Sequence, residues 1–503
     1  MSNQDSEQYR GFIEKLSQEE HRSKALNDIK NLFQLKPAAE AASTIRDVGI
    51  ARIVHCLNVT DKSQVDLTCE VLKICFGKFQ VGDVVKKYTG HIMYLLRHEK
   101  ECVRRLAIDE ISKCAILNPG LLPVPEYINV FIAVAQLVSD KDITVANKAV
   151  LISSSLPFEA YPKVLEEMKI ALEYTVSSKC NAFEVVVNIS CKSFELFKLC
   201  ADLGYIEYMV SQLQSNDLLY QVNILELLSC LAVKPQGINY LVKNGALEQM
   251  AQLIGELQNS PLGNLVIPGY MKLFGCIVHH YPKEILNKYP ALLDLLFDSF
   301  DSSDQTLLLV ALDTLGFIGA TIEGKLSLVS LGSKYTQAVE KVAQLIRNSA
   351  TEIKIRALHC FASLIAVDKD TNVPKSGPID HRVTLMTREW FRCLSENPMK
   401  FLCDICKNPF SDIRLAAFNL LNAACQHQWG EELVARVGGF IEYLLDRSVD
   451  YTKAAKEAKY EVIKKLAHSM AFDEDTLGRI QTYIQEGPFF SESTMDVAME
   501  EGD

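Results

Sequence analysis

No stretch of about 18 consecutive uncharged apolar residues occurs in this chain, which leaves no ordinary membrane-spanning helix to read from it. Basic residues are not in excess. The 52 Lys and Arg stand against 63 Asp and Glu, for a net charge of −11. That balance disfavours nonspecific nucleic-acid binding, which needs many uncompensated cations against phosphates. Proline (16) and glycine (24) are too few in 503 residues for a largely disordered chain. Strand-like alternation is also scarce. Its best instance, FEVVVNIS at 183–190, lies in phase with helical neighbours and is expected to be helix. The first residues, MSNQDSEQYRGFIEKL, are polar and carry acids, so no secretory leader is expected. The 15 cysteines show no regular spacing and mostly sit inside apolar runs, as small hydrophobes in a reducing compartment would. The cytosol is the expected location, with the nucleus also open.

What is present is repetition. An aliphatic residue, three others, a small residue and then an aliphatic or aromatic one recur at about forty residues. The phrase reads Val103…Ala107-Ile108, Val145…Ala149-Val150, Leu307…Ala311-Leu312, Ile353…Ala357-Leu358 and Ile413…Ala417-Phe418. Looser copies sit at Val65…Cys69, Leu219…Asn223, Leu265…Gly269 and Ala454…Ala458. Positions four apart share a helix face, and a small residue there lets a second helix come close. Self-similarity at this period belongs to helical repeats. The segment around Leu225–Ile254 shows the unit itself: an apolar helix, a break at Pro235–Gly237, a second helix, Gly245, and a third. The expected fold is therefore all-α, an armadillo/HEAT-like right-handed α-solenoid. It is expected as one array over residues 1–490 with about ten to twelve repeats. A Pro- and Gly-containing loop near 368–380 accounts for part of the longer step from 353 to 413. Asn118–Pro125 reads as a turn-rich joint. The acidic stretch 491–503 reads as a disordered tail.

Candidate chemistry is thin. Gly319-Ala-Thr-Ile-Glu-Gly324-Lys325-Leu326 fits the start of a phosphate-binding loop. It then fails, because Leu326 replaces the hydroxyl that would hold magnesium and the preceding residues read as helix. Cys403 and Cys406, with Cys393, Cys425 and His427 nearby, offer zinc-type ligands, but at no finger or ribbon spacing, so core cysteine is the expectation. His279-His280 reads as a loop feature. No enzyme motif emerges, and no catalytic, metal or cofactor residue is assigned. The suggestive charges are two cationic clusters. Lys453, Lys456 and Lys459, with Lys464 and Lys465 beyond, run at near-helical spacing; Arg97, Lys100, Arg104 and Arg105 lie early. In an acidic chain such ridges suit an acidic partner segment. Lys453, Lys456, Lys459, Arg97, Arg104 and Arg105 are the partner-binding expectation.

Four segments carry a family resemblance: VIPGYMKLFG at 266–275, VALDTLGFIGATIEGK at 310–325, FIEYLLDRSVDYTKAAKEAKY at 440–460 and YIQEGPFF at 483–490. They resemble the family of 26S proteasome non-ATPase regulatory subunit 5, assembly chaperones of the regulatory-particle base. The N-terminal half shares mainly repeat phase and length with that family. The resemblance implies a non-enzymatic solenoid that binds the C-terminal domain of one AAA ATPase subunit of the base, the first of the ring, and leaves as assembly completes. It implies associated base subunits as further partners, no nucleic acid and no membrane, and a free form that is a monomer. The alternative is a helical-repeat adaptor or transport-type protein carrying a linear peptide. A peptide-reading groove of that kind shows tryptophan and asparagine ladders, and this chain has only Trp390 and Trp429.

Overall fold

The computed structural model describes residues 2–117, 127–156, 158, 162–257, 263–367, 380–449 and 452–490. The joint expected at 118–125, most of the loop at 368–380 and the tail at 491–503 lie outside the described residues. Within them the chain is all-α, with no strand. FEVVVNIS is helix, as its phase required. Contacts gather into two compact units, Met1–Gly237 and Ile238–Asp503.

In each unit one set of helices stacks side by side as a continuous layer. In the first unit these are α1 (Glu19–Gln34), α2 (Lys62–Phe76), α3 (Glu101–Leu117), α4 (Ile143–Ser155), α5 (Val176–Ser190) and α6 (Leu218–Leu231), each packed on the next. In the second they are α7 (Gly263–His280), α8 (Gln305–Ile318), α9 (Thr351–Ile365), α10 (Ser411–Ala424) and α11 (Lys453–Leu466). Many start on a side-chain cap. Asp61, Asp142, Thr175, Asp217, Asp304 and Thr452 each accept a backbone N–H from the first turn that follows. Four N–H groups open every helix unsatisfied, and a short oxygen-bearing side chain at the boundary takes one or two of them.

The recurring phrase is the line along which this layer closes. Val103, Ala107, Val145, Ala149, Ala311, Leu312, Ala357, Leu358, Ala417 and Phe418 are all buried. Glycines tighten the second unit further. A β-carbon on Gly275 of α7 would lie 2.7 Å from Thr314 of α8, and one on Gly316 of α8 only 3.1 Å from the Cα of Cys360 on α9. These helices touch at backbone distance, and no larger side chain fits between them.

Three of the looser copies are out of register by one residue. Leu219 is 74% exposed and Leu265 and Ala454 also face solvent, while Tyr220, Ile224, Val266, Tyr270, Ala455 and Lys459 are buried. Near a helix start an aliphatic residue can lie on the solvent edge, so its identity does not fix the phase. In α2, Thr68 rather than Cys69 is the fully buried neighbour of the next helix.

Neighbouring repeats are also tied to one another by polar contacts at the same period. The amine of Lys78 donates to the carbonyl of Lys36 at 2.9 Å, the amide of Asn181 to Val138 at 2.8 Å, and the hydroxyl of Tyr205 to Leu165 at 2.7 Å. The Arg347 guanidinium donates to the carbonyls of Cys393 (2.8 Å) and Leu394 (2.7 Å). Ion pairs Lys288–Glu248, Lys334–Asp294 and Arg356–Asp313 also span one repeat.

Replacing Ala357 or Ala417 by Asp forces an unpaired charge into a fully buried contact and is expected to destabilise by several kcal/mol. Leu219→Asp, at the misphased copy, is expected to change stability by less than about 0.5 kcal/mol. Denaturant unfolding of the three variants checks the register. Equal losses at all three would show that the layer does not close along this line.

Candidate functional site

The structure separates the residues that the charge pattern grouped. On α11, Lys453 is exposed and faces Glu457 at 3.7 Å, Lys456 is half-buried, and Lys459 is 1% exposed. They form no single ridge, which corrects the expectation. A step of six residues turns a helix through about 600°, so Lys459 lies roughly 120° round from Lys453. It occupies the place that alanine takes in other repeats. Its amine donates to the carbonyl of Asp446 at 2.6 Å and sits 5.7 Å from the Tyr443 ring centre. Lys407 lies on the same ring at 5.3 Å, and the Tyr443 hydroxyl donates to the carbonyl of Cys406 at 2.6 Å. A buried cation is tolerable when carbonyl oxygens and an aromatic face help to receive it. Lys464 pairs with Glu461 at 2.9 Å.

The early cluster divides in the same way. Arg104 makes two parallel bonds to Asp140 at 2.6 and 2.7 Å and donates to the carbonyls of His98 and Glu99. Asp140 is almost wholly buried there. Arg104 therefore ties the loop before α3 to the start of the next repeat. Arg105 is exposed and pairs with Asp142, the cap of α4. That guanidinium and the first-turn amides hold the Asp142 carboxyl down to about 2. Arg97 remains exposed at the end of helix Thr89–Leu96. Lys100 donates to the carbonyl of Val59. Of the six expected residues, Arg97 and Lys453 are exposed, Arg105 is exposed but paired with Asp142, Lys456 is half-buried, and Lys459 and Arg104 serve the fold. Beyond the spread that steps of three impose on the lysines, the sequence carried no signal that would have told these classes apart.

The loop-like motif at Gly319–Lys325 is a turn between α8 and helix Ile322–Val329. Lys325 is fully buried, with its amine donating to the carbonyls of Gly319, Ala320 (3.1 Å) and Ser363 (3.0 Å). It closes the C-terminal ends of α8 and α9. Gly324 packs against the carbonyl of Ile318, where a β-carbon has no room. His427 closes the same end of α9 from the following repeat. Its Nε2 lies 2.9 Å from the carbonyl of Ile365, and its ring stacks on Trp429. Burial, with Lys325 nearby, holds the His427 pKa below its ordinary value. Cys403 and Cys406 are buried, and burial pushes the Cys403 thiol up to about 12. A thiol held that high stays protonated at neutral pH in the metal-free fold. Among the described residues no group of three or more His, Cys, Asp or Glu is placed to hold a metal ion. His279 stacks on Phe317 at 4.0 Å, with its Nδ1 2.7 Å from the Phe317 carbonyl.

The model of the proteasome non-ATPase 26S subunit family matches residues 5–503. The chain belongs to this family. Among its relatives, the 26S proteasome non-ATPase regulatory subunit 5 of Bos taurus is 25% identical over 487 residues, covering 94% of this chain and 95% of that one. The Homo sapiens protein of the same name is 24% identical at the same coverage. That of Drosophila melanogaster is 25% identical over 449 residues, covering 88% and 87%. Among solved structures, one titled as a Kap95:Nup1 complex aligns with a TM-score of 0.59 at 12% identity, over 96% of this chain and 63% of that one. At that identity the likeness speaks for the repeat fold alone. For this family member, the staples at Arg104, Lys325 and Lys459 are parts of the repeat frame, and the exposed faces between them are what remains for binding.

Lys459→Glu is expected to destabilise the fold by roughly 3 kcal/mol or more, because it buries a carboxylate against a carbonyl. Lys453→Glu should cost no more than about 0.5 kcal/mol. Thermal melts of the two single variants check this, and equal melting temperatures would return Lys459 to the surface. His427 also predicts a pH effect. Its folded pKa lies below the unfolded value, so its contribution is complete above about 6.5 and shrinks as pH falls through that value. Half-buried His98 and the exposed His280 and His359 are depressed in the same direction by partial desolvation and add weakly to the slope. His427→Gln should flatten the loss of stability between about pH 7 and 5 relative to the parent, and an unchanged slope would remove His427 from that account.

Proposed function

We propose that this chain is a non-enzymatic chaperone for assembly of the 26S proteasome regulatory-particle base. It holds the C-terminal domain of an AAA ATPase subunit and keeps that domain from docking early on the proteolytic core. The observation that carries the reading is the family match over nearly the whole length, residues 5–503. The repeat frame supports it. Stacked layers leave long exposed faces on a rigid scaffold, which suits one large partner. The residues that most resembled catalytic parts, Lys325, Cys403 and Cys406, are buried in helix-end and core contacts.

The mechanism is differential binding. A partner held more tightly as a free subunit than in the finished complex is released as the complex forms, without any chemical step. Occupying a domain that must later dock excludes that docking sterically. Of the expected cationic residues, Arg97, Arg105, Lys453 and Lys456 are the ones exposed enough to meet a partner. The proposed setting is the cytoplasm, with access to the nucleus.

The test is capture of the tagged chain from cells in mild salt, with mass spectrometry of the proteins retained. A free base ATPase or base subcomplex is expected, with little complete proteasome. Stoichiometric recovery in the mature particle, with no free-ATPase complex, would contradict the chaperone reading.

A further inference from the structure

A cavity of about 290 Å³ opens in the first unit beside Leu16, Arg22, Arg52, His55, Cys56 and Asn58. Its floor is apolar, from the buried side chains of Leu16 and Cys56. Its walls are cationic. The Nε of Arg22 donates to the Leu16 carbonyl at 3.0 Å, which fixes the guanidinium and leaves its two terminal NH₂ groups as donors. Arg52 and His55 stand exposed on the short helix Ala51–His55. The far wall is held from the next repeat. The Tyr94 hydroxyl donates to Oδ1 of Asn58, which leaves the amide N–H₂ as a donor, and Lys100 donates to the carbonyl of Val59.

No carboxylate lines this cavity. Glu19 and Glu20, in the same helical turn as Arg22, are not among its walls. Three other arginines of the unit are neutralised, Arg46 by Asp83, Arg104 by Asp140 and Arg105 by Asp142, while Arg10 and Arg97 stand singly elsewhere. Arg22 and Arg52 are in none of the described ion pairs. In a chain of net charge −11, two arginines and a histidine left facing one apolar-floored hollow stand apart from the rest of the surface.

We infer that this cavity is a docking site for an acidic peptide segment of a partner protein. A glutamate or aspartate of the segment lies between the Arg22 and Arg52 guanidiniums, and a neighbouring apolar side chain covers Leu16 and Cys56. A planar fork fixed from behind is the form in which arginine receives a carboxylate through two parallel bonds. The apolar floor favours a peptide over a free anion, because an anion alone leaves it wet. The inference rests on the reading that this chain acts by holding other proteins, and it names the chemistry of one contact.

The probe is a fluorescein-labelled peptide of alternating glutamate and leucine, with its glutamine–leucine counterpart as control. Both are titrated into the full-length chain and followed by fluorescence anisotropy. The acidic peptide is expected to bind and the glutamine peptide not. Arg22→Gln and Arg52→Gln should each weaken binding about tenfold or more, as loss of a charge-assisted hydrogen bond does. Added salt should weaken the parent's binding more than the variants'. Arg52 is exposed, so its variant tests the site even if Arg22→Gln loosens the Leu16 corner. Equal binding of the two peptides, or parent affinity in Arg52→Gln, would overturn the site. Capturing a base ATPase with the parent and with Arg52→Gln separates the two readings. Capture that succeeds equally in both, with no arginine-dependent peptide binding, sinks the cavity alone. Arginine-dependent peptide binding with no ATPase captured sustains the cavity and sinks the assembly reading.

Discussion

The close packing of neighbouring helices within the stacked layers is the constraint on which the rest depends. In five repeats a buried alanine allows it, at Ala107, Ala149, Ala311, Ala357 and Ala417, with Gly275 and Gly316 adding close contacts in the second unit. Apolar area alone would not impose this, since many side chains bury area equally well. A larger side chain at these places would push two helices apart and, because each repeat rests on its neighbours, would disturb the surface on both sides.

Close packing creates a second demand. Helix ends brought inside the array carry carbonyls that water no longer reaches, and a buried acceptor without a donor is costly. The chain meets this with long polar side chains sent across one repeat. Lys325 and His427 converge on the end of α9, Arg347 closes a helix end near Leu394, and Arg447 does so at Gly487, at 2.6 Å. Arg447 also lies 3.8 Å over the Tyr483 ring, so the last described helix, Glu474–Glu486, is held by charge and aromatic contact together. Positive charge inside this protein is therefore mostly structural.

That explains what could be read in the sequence and what could not. The all-α class, the forty-residue period, the breaks at Pro235 and Gly319, and the helical state of FEVVVNIS follow from patterns that depend on near neighbours. The register of the copies at Leu219, Leu265 and Ala454 did not follow, because an aliphatic residue at a helix edge carries no sign of which way it faces. Arg104 and Lys459 were misjudged for a related reason: a charged residue reads as surface, and only the carbonyls or the carboxylate brought from another repeat reveal otherwise. The cavity at Arg22, Arg52 and His55 escaped the sequence altogether, since its walls come from two separate segments, 16–22 and 52–59, that only the fold brings together. Helical geometry offered one clue that was usable in advance, because three lysines at steps of three cannot share one narrow stripe.

Within the family reading, a frame fixed by backbone contacts and buried staples presents faces whose shape does not adapt much on binding. Such a surface selects a partner by fit and loses it when another assembly offers that partner more. The most direct measurement is isothermal titration of the full-length chain with the purified C-terminal domains of the base ATPase subunits, taken one at a time. Saturable one-to-one binding to one of these domains, and much weaker heat with the others, is what the account predicts. No binding to any of them, or equal binding to all, would contradict it.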